Sequence, residues 1–388
     1  MPNKLTTDEI NKCIALRKSL HRKPETAFEE EETAQKINQF ISPLKPKETI
    51  GKVGGEGLIF TFEGNKKGKH LLFRAELDAL PIEEVNDFSH RSTTKGKSHK
   101  CGHDGHMSIL AGLAILLSKR EFPGKVSLLF QPAEEIGEGA LAMMQDSRWK
   151  EFANQIDQGY ALHNLPSYPL HEVILKKGIF AAASKGMIIR LKGEPSHAAH
   201  PNDGINPSMA VAQSIQSFYE IPSMHSPFGS SALITPVGIQ SGGKIFGTSA
   251  SEAELYATLR SFDNVTMDSI SNALLNRLAG IARTHHLEIE TEWVETFPAV
   301  NNHEKTVELV EKAANELKLN SLHKSEPFSW SEDFGQFAKD FPICLFGLGS
   351  GLKHPQLHNN DYDFPDALIK TGASLFYELI AKENKVNA

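Results

Sequence analysis

Cys101-Gly102-His103-Asp104 sets a thiol and an imidazole two positions apart, in a turn just ahead of an apolar helical run. A thiol near a helix N-terminus ionises more readily, and bound metal lowers its pKa further. Taken alone, a Cys-x-His pair reads as a buried free cysteine beside a surface histidine, because short motifs recur by chance. The neighbours His99, Asp104 and His106 shift that balance. A metal-bound imidazole needs a partner for its second nitrogen, and Asp104 or Asp78 can supply one.

A second cluster, Glu134-Glu135, follows Gln131-Pro132-Ala133 at the end of an apolar strand. Adjacent acids usually mark a solvated helix start. After a buried strand they can divide the work, one binding metal while the other takes a proton from metal-bound water. His163 ends the apolar run Ala161-Leu162, and His358 follows a Gly-rich turn. Each alone reads as a satisfied core histidine. Together Cys101, His103, Glu135, His163 and His358 exceed the four donors of a structural zinc, whereas a metal pair sharing one ligand would use them all. Asp361 and Asp363, near His358, read either as partners behind the ligands or as turn residues.

The elements that must position these groups follow from periodicity. A capping box at Thr6 and Glu9 opens an amphipathic helix carrying Ile10, Cys13, Ile14 and Leu20. Apolar strands are expected at 70–75, 125–130, 160–162 and 343–346, with a buried helix at 106–119. Such alternation implies an α/β domain with a largely parallel sheet. The candidate ligands then fall at carboxyl ends of strands, where open α/β sheets form their ligand crevice.

Residues 183–292 read differently. Strands at 187–192, 231–239, 252–260 and 287–293 alternate with a helix capped by Asn206 and Pro207 and another carrying Ile270, Leu274, Leu278 and Ile281. The order βαββαβ suggests a ferredoxin-like insertion. Helices at 306–317, 332–339 and 366–381 then resume the first pattern. The expected domains are thus 1–182 with 293–388, and an inserted 183–292.

A length of 388 residues with 40% hydrophobic and 23% charged residues fits a globular chain of two to three domains. The formal charge of −7 is dispersed, and the densest basic stretch, 94–100, carries Ser and Gly. Nucleic-acid partners are therefore not expected. The N-terminal MPNKLTTDEI lacks the apolar core of a signal peptide, and the longest apolar run, 109–117, is too short to span a membrane. Three widely separated cysteines argue against a disulfide framework, so a cytoplasmic enzyme is the expectation.

In chain order, Leu20-His21-Arg22-Lys23-Pro24-Glu25, Arg74-Ala75-Glu76-Leu77-Asp78-Ala79-Leu80-Pro81 and Cys101-Gly102-His103-Asp104-Gly105-His106 carry a resemblance. It continues through Phe130-Gln131-Pro132-Ala133-Glu134-Glu135, Leu162-His163-Asn164, His197-Ala198-Ala199, Glu332-Asp333-Phe334 and Leu357-His358. Over about residues 16–365 the chain is similar to the M20 metallopeptidase family, in its amidohydrolase branch. That branch holds N-acyl-amino-acid hydrolases, hippurate hydrolases, N-acetyldiaminopimelate deacetylases and auxin-conjugate hydrolases.

The resemblance implies ligands at Cys101, His103, Glu135, His163 and His358, with Cys101 bridging two divalent ions, and a general base at Glu134. Zinc and manganese are the leading metals, with cobalt and nickel behind them. It implies hydrolysis of small N-acyl amino acids by metal-activated water. The alternatives are a dipeptidase or carboxypeptidase on the same metals, or a non-catalytic binding relative, against which the intact ligand set argues. The inserted domain becomes a lid that makes a homodimer, and His197 matches the lid histidine that stabilises the oxyanion. Two departures stand out. Glu76 replaces an Asp, and Gly247-Thr248-Ser249-Ala250 replaces an Asn-Val-Ile-Pro run whose Asn meets the carboxylate end of the substrate.

Overall fold

Strands with both faces buried need helices on either side, and the chain's longest apolar stretches supply them. The computed structural model describes residues 4–119, 121–228 and 231–385. They fall into two compact units. The first holds the chain up to Phe180, Val300–Glu326 and the chain from Asp333 onward, and the second Ala181–Ala299 and Pro327–Glu332.

The first unit is built on an eight-stranded sheet in the order Glu48–Val53, Gly57–Glu63, Pro123–Gln131, Lys66–Glu76, Gln158–Pro166, Ile343–Gly351, Val173–Leu175, Ser321–His323. Its central pairings, from Pro123–Gln131 through Ile343–Gly351, are all parallel. Antiparallel pairs join Glu48–Val53 to Gly57–Glu63, Gly57–Glu63 to Pro123–Gln131, and Ile343–Gly351 to Val173–Leu175. The helix His103–Lys119 is buried on every face from His103 to Leu117 and packs against Thr7–His21, Ala367–Lys385 and the sheet. Thr6 caps the first helix with the expected capping box to Glu9.

The second unit carries a four-stranded antiparallel sheet in the order Ala232–Ser241, Glu252–Ser261, Ala183–Lys192, Glu288–Phe297. The helices Ser208–His225 and Asn264–Thr284 belong to the same unit. Along Glu252–Ser261 the residues Ala253, Leu255, Ala257 and Leu259 are buried in alternation, the period of a half-buried strand.

Three boundaries differ from expectation. The second unit runs on to Ala299, because the strand Glu288–Phe297 completes its sheet, and it also takes in Pro327–Glu332. The helix expected from Pro207 begins at Ser208, with Pro207 as N-cap, although Asn206 Oδ1 still accepts the Ser208 N–H at 2.8 Å. The stretch expected as an α-helix at 332–339 is a 3₁₀ helix, Asp333–Lys339, whose tighter turns place Asp333 in a buried ion network. Among the described residues no helix is long and apolar enough to cross a membrane.

Candidate metal centre

Parallel strands end together, and the sequence places a turn bearing a donor after several of them. The ligand atoms of Cys101, His103 and His163 lie within 4.8 Å of one another, as do those of Cys101, Glu135 and His358. Cys101 belongs to both sets. A further set joins His103, Glu134 and Glu135. All six residues lie in the first unit.

Backbone geometry explains how each arrives. Gly102, with φ 97°, lets the chain turn into the helix His103–Lys119, and a Cβ there would sit 2.4 Å from Asn164 Oδ1. Only glycine fits that approach. His103 donates from Nδ1 to the Asp78 carbonyl at 2.8 Å, which turns Nε2 inward. His163 donates from Nδ1 to the Asn164 carbonyl at 2.9 Å, so its Nε2 lone pair faces Cys101. Ala133 takes φ 51° and swings Glu134 and Glu135 off the strand end. His358 has φ 65°, and its N–H is anchored on the Lys100 carbonyl at 2.8 Å. Non-glycine residues in this region cost about 1–3 kcal/mol each and persist where surrounding contacts hold them.

The spacings are those of donors gathered around cations. Donors bound at roughly 2.0–2.3 Å to one tetrahedral ion stand about 3.3–3.8 Å apart. Cys101 Sγ lies 3.4 Å from His163 Nε2. Glu135 Oε1 lies 3.8 Å from His103 Nε2, and Glu135 Oε2 lies 3.7 Å from His358 Nε2. The nitrogen–oxygen gaps are too long for hydrogen bonds, and no described group hydrogen-bonds the buried His103 Nε2. The residues present therefore fit a pair of divalent ions.

Charge agrees with spacing. Burial presses the His163 imidazole down to about 3, leaving it neutral with a free lone pair. The same burial acts on His103, but Glu76, Asp78 and Glu135 outweigh it and raise that ring to about 10. A place that draws a proton this strongly draws a divalent cation for the same reason, since the two compete for the ligand. Glu134 Oε2 stands 3.7 Å from His103 Nε2, beside the ligands.

Behind them lies a buried polar network that spacing in the sequence did not reveal. Burial opposes the charge of Glu76, yet Arg74 and His106 hold its carboxyl well below the ordinary range. His106 meets Glu76 Oε2 at 2.7 Å through Nδ1 and Asn164 Oδ1 through Nε2. Asn164 Nδ2 donates to Tyr362 Oη at 2.6 Å. Arg74 is pinned by Gln131 at 2.9 Å and Asp333 at 2.8 Å. His103 thus uses the Asp78 carbonyl, while Asp104 turns away to His21 at 2.9 Å and Arg17 at 3.1 Å. Asp363 pairs with Arg17 at 2.7 Å and His90 at 3.1 Å.

His197 lies in the second unit, exposed, in the short strand Ser196–His197, which pairs with Thr248–Ser249. Its Nδ1 accepts the Ala199 N–H at 3.1 Å, so Nε2 carries the proton and points a donor outward. The Ala198 N–H donates to the Gly247 carbonyl at 3.0 Å, and a Cβ at Gly247 would meet nothing within 4 Å.

Residues 72–382 match the peptidase family M20/M25/M40. The chain is 31% identical over 366 residues to an N-acetyldiaminopimelate deacetylase of Priestia megaterium, covering 92% of this chain and 96% of that one. It is 30% identical over 371 residues to a hippurate hydrolase of Campylobacter jejuni, covering 95% of each. Its structure resembles that of a dinuclear metal-binding peptidase of the M20 family from Bacillus subtilis, with a TM-score of 0.81, 25% identity and coverage of 97% and 98%.

Proposed function

This chain belongs to peptidase family M20/M25/M40, and from that premise we propose that it is a metal-dependent amidohydrolase cleaving small N-acyl amino acids or related N-acyl compounds. The observation that carries the reading is the convergence of Cys101, His103, Glu135, His163 and His358 around one centre, with Glu134 beside it. The deacetylase and hippurate hydrolase relatives support the substrate class.

Cys101, His103 and His163 would hold one divalent ion, and Cys101, Glu135 and His358 the other. Such ions polarise the scissile carbonyl and make water acidic near neutral pH. Glu134 takes the proton of the attacking water and passes it to the amine nitrogen as the C–N bond breaks. His197 offers its Nε2–H to the oxygen on which charge develops. Zinc or manganese suits the donor set, cobalt and nickel less so, and supply in the cell selects among them.

The second unit is read as a ferredoxin-like lid that also makes a homodimer. Its strand order supports the first point. For the second, its edge strand Ala232–Ser241 exposes Leu233, Val237 and Ile239, and its helix Ser208–His225 exposes Met209, Tyr219 and Met224. An apolar open edge is a liability for a monomer and a ready surface for a second copy. Three buried free cysteines fit a cytoplasmic setting.

The test is turnover of a panel of N-acetyl and N-benzoyl amino acids and dipeptides, followed by mass spectrometry with metal content measured alongside. Hydrolysis of N-acyl compounds that stops on chelation is the expected result. Selective cleavage of the dipeptides would overturn the substrate assignment.

A further inference from the structure

Two consecutive side chains on an extended backbone point to opposite faces. Glu134 and Glu135 lie instead in a turn past the strand end, where Glu134 Oε2 and Glu135 Oε1 stand 3.7 and 3.8 Å from the same atom, His103 Nε2. The turn at Ala133, with φ 51°, makes this geometry possible, and an alanine seldom holds that conformation unaided. Ala133 is gripped by its backbone. Its N–H donates to Glu30 Oε1 at 2.8 Å, and its carbonyl accepts the Gly139 N–H at 3.0 Å. On the far side of Glu134, the Glu135 N–H donates to Asp78 Oδ2 at 2.9 Å.

Glu30 is an odd residue to bury. It stands in the acidic run Glu29-Glu30-Glu31-Glu32, at the cap of the helix Glu31–Ile41, yet it is 0% exposed and among the described residues no cation pairs with it. Burial, with Asp78 nearby, pushes its carboxyl up to about 7. A carboxyl held inside without a counter-charge is costly and calls for a structural reason. We propose that Glu30 is a positioning residue, whose Oε1 holds Ala133 in the left-handed conformation and so aims Glu134 and Glu135 at one centre. The proposal rests on reading Glu134 as the base and Glu135 as a ligand.

Three variants test it. Glu30→Gln keeps an acceptor oxygen, and Glu30→Leu removes it at similar size. Glu30→Leu with Ala133→Gly removes it but gives the turn a residue that accepts positive φ. If Glu30→Leu does not fold, Glu30→Ala takes its place. The readouts are Mn²⁺ affinity of the chelator-stripped protein by calorimetry, kcat and KM on an N-acyl amino acid, and unfolding temperature.

Glu30→Gln should stay close to wild type. Glu30→Leu should lose about 10–100-fold in Mn²⁺ affinity and kcat with KM little changed, as for other groups that orient ligands. Adding Ala133→Gly should recover part of both losses without recovering unfolding temperature. The proposal falls if Glu30→Gln loses as much as Glu30→Leu, if Glu30→Leu keeps both its Mn²⁺ affinity and its kcat, or if Ala133→Gly recovers nothing. Should wild type turn over no N-acyl compound, the hydrolase reading fails, while the Mn²⁺ measurements still decide whether Glu30 governs Glu135.

Discussion

Glu134 and Glu135 are chemically identical neighbours, so what separates their roles is aim. Glu135 offers one oxygen toward His103 and the other toward His358, which suits a ligand. Glu134 brings Oε2 to 3.7 Å from His103 Nε2, beside these donors. Glu134→Ala should therefore keep its metal and lose turnover by ~10²–10⁴-fold, the usual cost of removing a general base. Glu135→Ala should lose metal, read by elemental analysis after dialysis. Equal turnover by Glu134→Ala and wild type would remove it from the base role. Gly247 carries a second expectation at this scale. Open space around it admits an asparagine without strain. If the missing amide weakens recognition of a simple α-carboxylate, Gly247→Asn should raise kcat/KM for N-acyl amino acids by an amount worth ~1–3 kcal/mol. Arg260, now bonded to the Ser329 carbonyl at 3.0 Å, or Lys244 would serve that carboxylate meanwhile. An unchanged kcat/KM would show that the carboxylate is held elsewhere.

Elements are held in register by buried charge as well as by apolar packing. Arg74, on the strand Lys66–Glu76, is completely buried and joins Gln131, at the end of its neighbouring strand, to Asp333 of the 3₁₀ helix. Asp333 also accepts the Ala140 N–H at 2.8 Å. Asp333→Ala would strand part of the Arg74 charge, and breaking a buried pair costs about 3–5 kcal/mol. Urea unfolding should register that loss, and one near zero would mean that Arg74 is balanced without Asp333. Such links explain what the sequence made legible. The βαββαβ order of the second unit was readable because Ala253, Leu255, Ala257 and Leu259 alternate, and the helix ending at Lys119 because its apolar run is unbroken. The candidate donors Cys101, His103, Glu135, His163 and His358 stand out in the sequence because each follows a strand or precedes a helix, and the fold brings their ligand atoms close together. Glu30 was not, since an acid among acids looks solvated until a turn 103 residues away closes on it. Nor was the 3₁₀ form of Asp333–Lys339, which depends on the partners of Asp333.

At the scale of the whole molecule, the question is which chain supplies the last donor. The candidate metal centre lies entirely in the first unit, and His197 lies in the second, which has its own sheet and core. Its imidazole is exposed and carries its donor outward, with no described side chain accepting from Nε2. We therefore expect a homodimer in which His197 acts in trans. Removing an oxyanion donor should cost ~10²–10³-fold in kcat, so His197→Ala and Glu134→Ala are each nearly inactive as pure dimers. When the two are unfolded or dissociated together and reassembled in equal amounts, half the dimers are mixed. In each mixed dimer one site combines an intact Glu134 from one subunit with an intact His197 from the other, and its second site lacks both. Activity should return to about a quarter of wild type, as the symmetry of two equivalent sites dictates. If His197 serves its own chain, every site in every dimer lacks one group, and reassembly restores nothing. Sedimentation of the wild type fixes the premise independently, because a monomer at assay concentration would rule out trans action before any subunits are exchanged.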